Sequence, residues 1–130
     1  MSNNDPLSAC LSKINNSEKV SKNEVVIYGI STIMKQVLKI LQDKEYIGKI
    51  EYVENPRGGL AKIELMGHIN SCGAIKPRFK VNYNDIDRYE KRFLPAKAFG
   101  VLIISTSKGL MTNDEAKEKH LGGRLIGYCY

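Results

Sequence analysis

The segment Ser105-Thr106-Ser107-Lys108-Gly109 gathers three short hydroxyl side chains, a lysine and a glycine within five residues. Hydroxyls donate and accept hydrogen bonds at little entropic cost, glycine lets another backbone come close, and lysine neutralises a phosphate. Thr112 opens a short helix just beyond, whose free N–H groups would suit a phosphate or a hydroxyl. The chemistry on offer is recognition of a polar, anionic surface. The same residues equally allow Ser-Thr-Ser to satisfy only its own turn.

A second cluster runs from Lys76 to Lys97. Lys76, Arg78, Lys80, Arg88, Lys91, Arg92 and Lys97 stand there against Asp85, Asp87 and Glu90, with Phe79, Tyr83, Tyr89 and Phe93 interleaved. Guanidinium and aromatic planes stack on unpaired bases, and ammonium groups meet phosphates. Phenylalanine has no polar edge to keep it outside, so Phe79 and Phe93 read better as core anchors, while Arg78 and Arg92 suit RNA contact and a solvated surface equally. A third, weaker cluster is Lys13, Lys19 and Lys22 with Asn15 and Asn16, diluted by Glu18 and Glu24. Small polar groups with lysines can follow a shallow minor groove and its 2′-hydroxyls.

Catalytic readings lack their parts. His68 and His120 are the only histidines, and neither has a second ligand at metal spacing. No glycine-rich loop runs into Lys-Ser or Lys-Thr, and no dinucleotide fingerprint follows a strand. Ser105 and Ser107 follow a buried strand, but the flanking glycines of a nucleophile elbow are missing. The chain is therefore expected not to be an enzyme and to use neither metal nor other cofactor. Cys10, Cys72 and Cys129 are odd in number and widely spaced, which suits buried or half-buried free thiols in a reducing compartment.

Charge points the same way. The 130 residues carry 20 Lys and Arg against 14 Asp and Glu, a net charge of +6. Residues 1–70 hold nine basic and eight acidic side chains, residues 71–130 eleven and six, so the surplus is concentrated in the second half. An anionic partner approached mainly from that side is implied. The strongest apolar run, Phe99 to Ile104, is far short of the roughly 20 residues of a membrane helix. The first residues lack a secretory pattern, so a cytoplasmic location without membrane association is expected.

The elements that must hold these groups follow from periodicity. Asp5-Pro6 starts a helix with Leu7, Cys10, Leu11 and Ile14 on one stripe, and Asn15-Asn16-Ser17 should end it. Val25 to Tyr28 reads as a strand. Ser31 caps a second helix with Ile33, Met34, Val37, Leu38 and Leu41 inward, and Gly48 lies just past its expected end. Ile50 and Tyr52 face Ala61, Ile63 and Leu65 across a hairpin turned by Asn55 to Gly59. Residues 67 to 97 have no clean period and read as connecting structure with short strands. Val101 to Ile104 is a buried strand, Thr112-Asn113-Asp114-Glu115 a capping box for a helix to about His120, Gly122-Gly123 its stop, and Leu125 to Tyr130 a last strand. The expected fold is α+β: a small N-terminal α/β domain, 1–70, packed on a β-rich C-terminal domain, 71–130, with one short helix.

Gly100 to Met111, followed by Ala116-Lys117, resembles the signature of the small-subunit ribosomal protein number eight family. The resemblance extends to Asp5-Pro6-Leu7, Gly48, Ala74 to Phe79, Lys91-Arg92-Phe93-Leu94-Pro95 and Gly122-Gly123-Arg124, and its middle segment leans to the archaeal and eukaryotic branch, Ser105 to the archaeal. It implies direct binding to the central domain of small-subunit ribosomal RNA, early in assembly, beside neighbouring ribosomal proteins. It implies RNA contacts from the turn Ser105, Thr106, Ser107, Lys108 and Gly109, with Met111 and Thr112 just after it. Lys13, Asn15 and Asn16 of the first helix would touch nearby backbone, and Lys76, Arg78, Arg92 and Arg124 complete the candidate set. Arg124 stands where bacterial relatives have an acid and is expected to add a phosphate contact. Off the ribosome a monomer is expected. The rival reading is a basic protein-interaction module that binds an acidic protein partner.

Overall fold

The computed structural model describes residues 6–54, 56, 59–76, 78–96 and 99–130. The chain is α+β and divides into two compact units, the first ending at Cys72 and the second beginning at Gly73. The first unit carries helix α1 (Pro6–Lys19), strand β1 (Glu24–Tyr28), helix α2 (Thr32–Asp43), and strands β2 (Ile47–Val53) and β3 (Leu60–Leu65). Its sheet is antiparallel in the order β1-β3-β2. Apolar spacing explains the core. Leu7, Cys10, Leu11 and Ile14 of α1 are buried, as are Met34, Val37, Leu38 and Leu41 of α2, with Val25, Ile27, Ala61, Ile63 and Leu65 of the sheet. Each of the larger side chains contributes roughly 1.5–3 kcal/mol by leaving water.

Two local expectations differ from what forms. Helix α1 does not stop at Asn15 but continues to Lys19, because Ser17 is buried on its inner face and Asn15 is engaged: its Oδ1 accepts from the Cys72 N–H at 3.2 Å. Helix α2 is capped by Ser31, whose Oγ accepts from the Met34 N–H at 3.3 Å, while the Ser31 N–H turns to the Met34 sulfur. Its far end is not set by Gly48. Glu45 takes the left-handed conformation at φ 65°, and Gly48 lies inside β2 at an irregular register, with the Glu64 carboxylate where a Cβ would be. The proposed cap Asp5 and most of the hairpin turn (Asn55, Arg57 and Gly58) lie outside the described residues.

The second unit contains strands β4 (Cys72–Ala74) and β5 (Lys80–Val81), a 3₁₀ turn at Tyr83–Asp85, helix α3 (Ile86–Phe93), strands β6 (Val101–Thr106) and β7 (Gly109–Thr112), helix α4 (Asn113–Glu118) and strand β8 (Gly123–Cys129). The strand order is β4-β8-β6-β7, with β5 also paired to β8. Two helices stand here where one was expected. Ile86, Tyr89, Glu90 and Phe93 form the inward stripe of α3 at i, i+3, i+4 and i+7, and only Ile86 is fully buried. The core gathers Ile75, Val81, Ile86, Leu94, Leu102, Ile104, Met111, Ala116 and Leu125, with Phe79, Phe93 and Tyr128 packed against it. Phe79 and Phe93 are core anchors, as their lack of a polar edge required.

Gly122 and Gly123 do not stop α4. The helix ends at Glu118, and His120 takes the left-handed position at φ 55°. The glycines instead make room for neighbouring backbone. A Cβ on Gly123 would lie 1.9 Å from the Ser105 carbonyl oxygen, and one on Gly122 2.4 Å from that of Val81. Strand β8 can therefore run close to β6 and β5 at the end of the sheet that carries Ser105, Arg124 and Lys80. Gly109 contrasts with them: its φ is +106° but its Cβ would meet open space. Gly123→Ala is expected to cost well above 2 kcal/mol or to prevent folding, whereas Gly109→Ala should cost about 1 kcal/mol, both read from urea denaturation. Equal costs would refute the close-approach account.

Candidate nucleic-acid interface

The hydroxyl segment is the closed end of a two-stranded hairpin. Strands β6 and β7 pair from Ile103↔Thr112 to Thr106↔Gly109, leaving Ser107 and Lys108 as the turn. Thr106 locks it: its hydroxyl donates to the Gly109 carbonyl at 2.8 Å and accepts from the Lys108 N–H at 3.1 Å. The two readings of the segment therefore separate by residue. Thr106 serves its own turn, whereas among the described residues the hydroxyls of half-buried Ser105 and exposed Ser107 make no side-chain hydrogen bond.

Burial decides the rest of this stretch. Met111 is paired with Ile104 and lies in the core at 3% exposure. Thr112 is 1% exposed, and its hydroxyl accepts from the Glu115 N–H at 3.3 Å as the cap of α4. Both residues are thereby removed from the candidate surface, because neither presents atoms to a ligand. Helix α4 has only six residues, and its start is occupied by this cap.

Register brings other candidates together. Arg124 of β8 pairs with Ser105 of β6 on one side and Lys80 of β5 on the other, and its Nη1 donates to the Arg78 carbonyl oxygen at 3.4 Å. Arg78, Lys80 and Arg124 are exposed. Lys80 stands directly opposite Arg124, an adjacency with no local trace in the sequence beyond its place in the basic cluster, since the partner strand lies far along the chain. Arg92 is not part of the row. Its guanidinium lies 4.9 Å from the centre of the Phe79 ring and 5.4 Å from that of Phe93, stacked on two residues anchored in the core. Lys76 is exposed just after Ile75, whose N–H donates to the Ile126 carbonyl.

Lys13, Asn15 and Asn16 lie in the first unit. Lys13 sits over the Tyr28 ring at 5.7 Å, Asn16 is exposed, and Asn15 holds the Cys72 backbone as described. Cys10 and Cys72 are buried beside this helix, and burial followed by the nearby Cys72 pushes the Cys10 thiol up to about 12, only partly opposed by Lys13. Neither thiol is exposed for nucleophilic work. His68 is an exposed loop residue whose Nδ1 lies 2.7 Å from the Glu45 carbonyl oxygen, and His120 is exposed edge-on to Tyr83. Among the described residues, no group of three or more His, Cys, Asp or Glu could hold a metal.

A polar network behind the sheet steadies the site, and its members gave no sign of it in sequence. Asn113 accepts from the Leu102 N–H at 3.1 Å and donates to Glu90, whose other oxygen accepts from the Lys117 ammonium at 2.8 Å; Lys117 also pairs with Asp87 at 2.5 Å. Asn113 thus ties α4 to β6, and the Glu90 carboxylate ties α3 to α4. Partial burial pulls the Lys117 pKa down, but the hydrogen bonds to Asp87 and Glu90 and their charges outweigh it, and the net shift is upward.

A small α+β chain that presents cations and hydroxyls from one end of an antiparallel sheet, with its histidines and thiols otherwise engaged, has the build of a ribosomal RNA-binding protein. The family model of Ribosomal protein S8 matches residues 5–130, and the chain belongs to that family. It is accordingly a small-subunit ribosomal protein, an RNA-binding constituent of a ribonucleoprotein that serves translation and a structural rather than catalytic part of it. Among the described residues, no helix is long and apolar enough to cross a membrane.

Both upward shifts carry the same sign for stability. A raised folded-state pKa means that the native form holds its proton longer, so the contribution is complete below the unfolded value and fades as pH rises through the folded one. The Cys10 contribution should decline from pH 9 toward about 12, and that of Lys117 from its ordinary 10.5 upward. Glu90→Ala should cost about 1–3 kcal/mol at neutral pH by leaving the Asn113 amide N–H without its acceptor and Lys117 with Asp87 alone. The stability gap between wild type and Lys117→Met should hold from pH 6 to 9 and shrink above about 10.5, followed by denaturant titration at each pH. A gap that widened with alkali would reverse the assignment.

Proposed function

We propose that this chain grips an irregular, partly unpaired helix in the central domain of small-subunit ribosomal RNA and fixes its fold early in assembly. The observation that carries the reading is the exposed hairpin end, where Ser105 and Ser107 keep their hydroxyls uncommitted beside Arg124. Hydroxyls at this place can address base edges and 2′-hydroxyls, which vary with RNA shape, while Arg78, Arg124, Lys80, Lys108 and Lys76 supply attraction through released counterions. Arg92 adds to that attraction, and Lys13 with Asn16 offers a separate basic and polar patch on the first unit. Binding the organised RNA in preference to its alternatives shifts the population toward that form, and no bond is made or broken.

In this reading the protein is not an enzyme and needs no cofactor. It works in the cytoplasm on the small subunit, beside neighbouring ribosomal proteins, and is a monomer when free. Residues 71–130 form the main RNA-binding domain, and residues 1–70 the domain that carries the subsidiary basic helix.

The test separates shape recognition from general attraction. Ser105→Ala combined with Ser107→Ala should weaken binding to a central-domain RNA fragment by about tenfold or more, and binding to a plain duplex by less than about twofold, in titrations near 150 mM salt. Thr106→Val should act differently, lowering the melting temperature through the opened turn. Equal losses on both RNAs would remove the hydroxyls from a specificity role. Preferential retention of an acidic protein after nuclease and a high-salt wash, with no RNA preference in titration, would overturn the reading in favour of a protein-interaction module.

A further inference from the structure

We propose that the outer face of the second sheet is graded, seating an RNA phosphate at its Lys80–Arg124 end and an unpaired base at its Ser105–Leu110 end. This rests on the RNA-binding reading above and adds to it Lys80, Leu110 and the direction in which the RNA crosses the strands.

The grading follows from register. Lys80 is opposite Arg124, Arg124 opposite Ser105, and Ser105 opposite Leu110, across β5, β8, β6 and β7 in turn. Directly opposed residues of antiparallel strands project from the same face. With strands about 4.8 Å apart, the four form a row about 14 Å long. The next row toward the hairpin tip, Val81, Gly123, Thr106 and Gly109, belongs to the opposite face, where Val81 is buried in the core. Two residues back along β6 and β7 on the outer face, Ile103 and Thr112 are already buried. The row is thus the border at which this face becomes open.

Its chemistry changes steadily along its length. Lys80 and Arg124 are exposed cations on adjacent strands, and no acidic side chain stands in the row to separate them. Like charges held directly opposite repel unless an anion lies between them, and a phosphate offers oxygens to both. The bond from Arg124 Nη1 to the Arg78 carbonyl fixes the guanidinium along β5 and leaves its other N–H groups for that anion. Ser105 comes next, half-buried, with a hydroxyl suited to a base edge or a 2′-hydroxyl. Leu110 closes the row, half-buried and aliphatic. It can do nothing for a phosphate, but it presents an apolar surface for the face of a base turned out of its stack. Lys108 lies beyond the row at the hairpin tip and contributes attraction without altering its order.

Titration of the full chain with a central-domain RNA fragment and with a plain duplex, from 50 to 400 mM salt, tests the grading. Lys80→Ala and Arg124→Ala should each lower affinity for both RNAs by a similar factor and reduce the slope of log affinity against log salt by about one. Ser105→Ala and Leu110→Ala should leave that slope unchanged but lower the preference for the irregular RNA by about fivefold or more. Melting curves show whether each variant is folded, and Ser105→Ala carries the base arm if Leu110→Ala is not. An unchanged slope for both cation variants, or a loss of preference from Lys80→Ala equal to that from Ser105→Ala, overturns the proposal. If the wild-type chain itself shows no preference, the RNA reading fails; if it does and only the variants depart from these outcomes, the grading alone fails.

Discussion

The second unit depends on a place where backbone touches backbone. At the start of β8 two residues without side chains let three strands converge, with the Ser105 carbonyl lying where a Cβ of Gly123 would be and the Val81 carbonyl crowding Gly122 in the same way. Nothing larger than hydrogen fits. The register that results places Arg124 between Ser105 and Lys80, so the charge and hydroxyl pattern of the open face is a consequence of this packing. The network through Glu90 serves the same end, tying α3 and α4 to the start of β6.

Such a construction suits a member of a ribosomal protein family. A catalyst must place a few groups around a reacting atom, whereas a protein that holds RNA must keep a surface in shape while a large polyanion presses on it. The groups that would do chemistry elsewhere are assigned to structure here. The Cys10 and Cys72 thiols are packed inside, the Thr106 and Thr112 hydroxyls close a turn and a helix, and Glu90 is a strut. What stays open is charge, two hydroxyls and an aliphatic side chain.

Much of this architecture could be read from the amino-acid order, and the exceptions have physical causes. Helices α1 and α2 and the β2–β3 hairpin were visible because their buried residues recur at the period of the element. Helix α3 escaped because one of its inward positions is Glu90, which reads as solvent-facing; it turns inward only because Asn113 and Lys117, 23 and 27 residues further on, receive it. The glycine pair reads in sequence as a helix stop, since conformational freedom and lack of bulk cannot be told apart without the neighbouring strands. Of the candidate interface residues, Ser105, Ser107, Arg78 and Arg124 stand out by residue type, and each is exposed or half-buried. Met111 and Thr112 lie next to the turn in sequence, but Met111 is packed in the core and Thr112 is buried as the cap of α4. The adjacency of Lys80 to Arg124 across β5 and β8 is a property of register and leaves no local trace.

The knot that Thr106 ties across the hairpin also bears on how the tip would meet a ligand. Loops that wander in solution must be stilled on docking, and each rotamer-rich side chain immobilised then takes roughly 0.5–1.5 kcal/mol from the affinity. Here the backbone of Ser107 and Lys108 is already held by one hydroxyl that bridges the turn from both sides. That loss of freedom belongs to folding, and association is spared it.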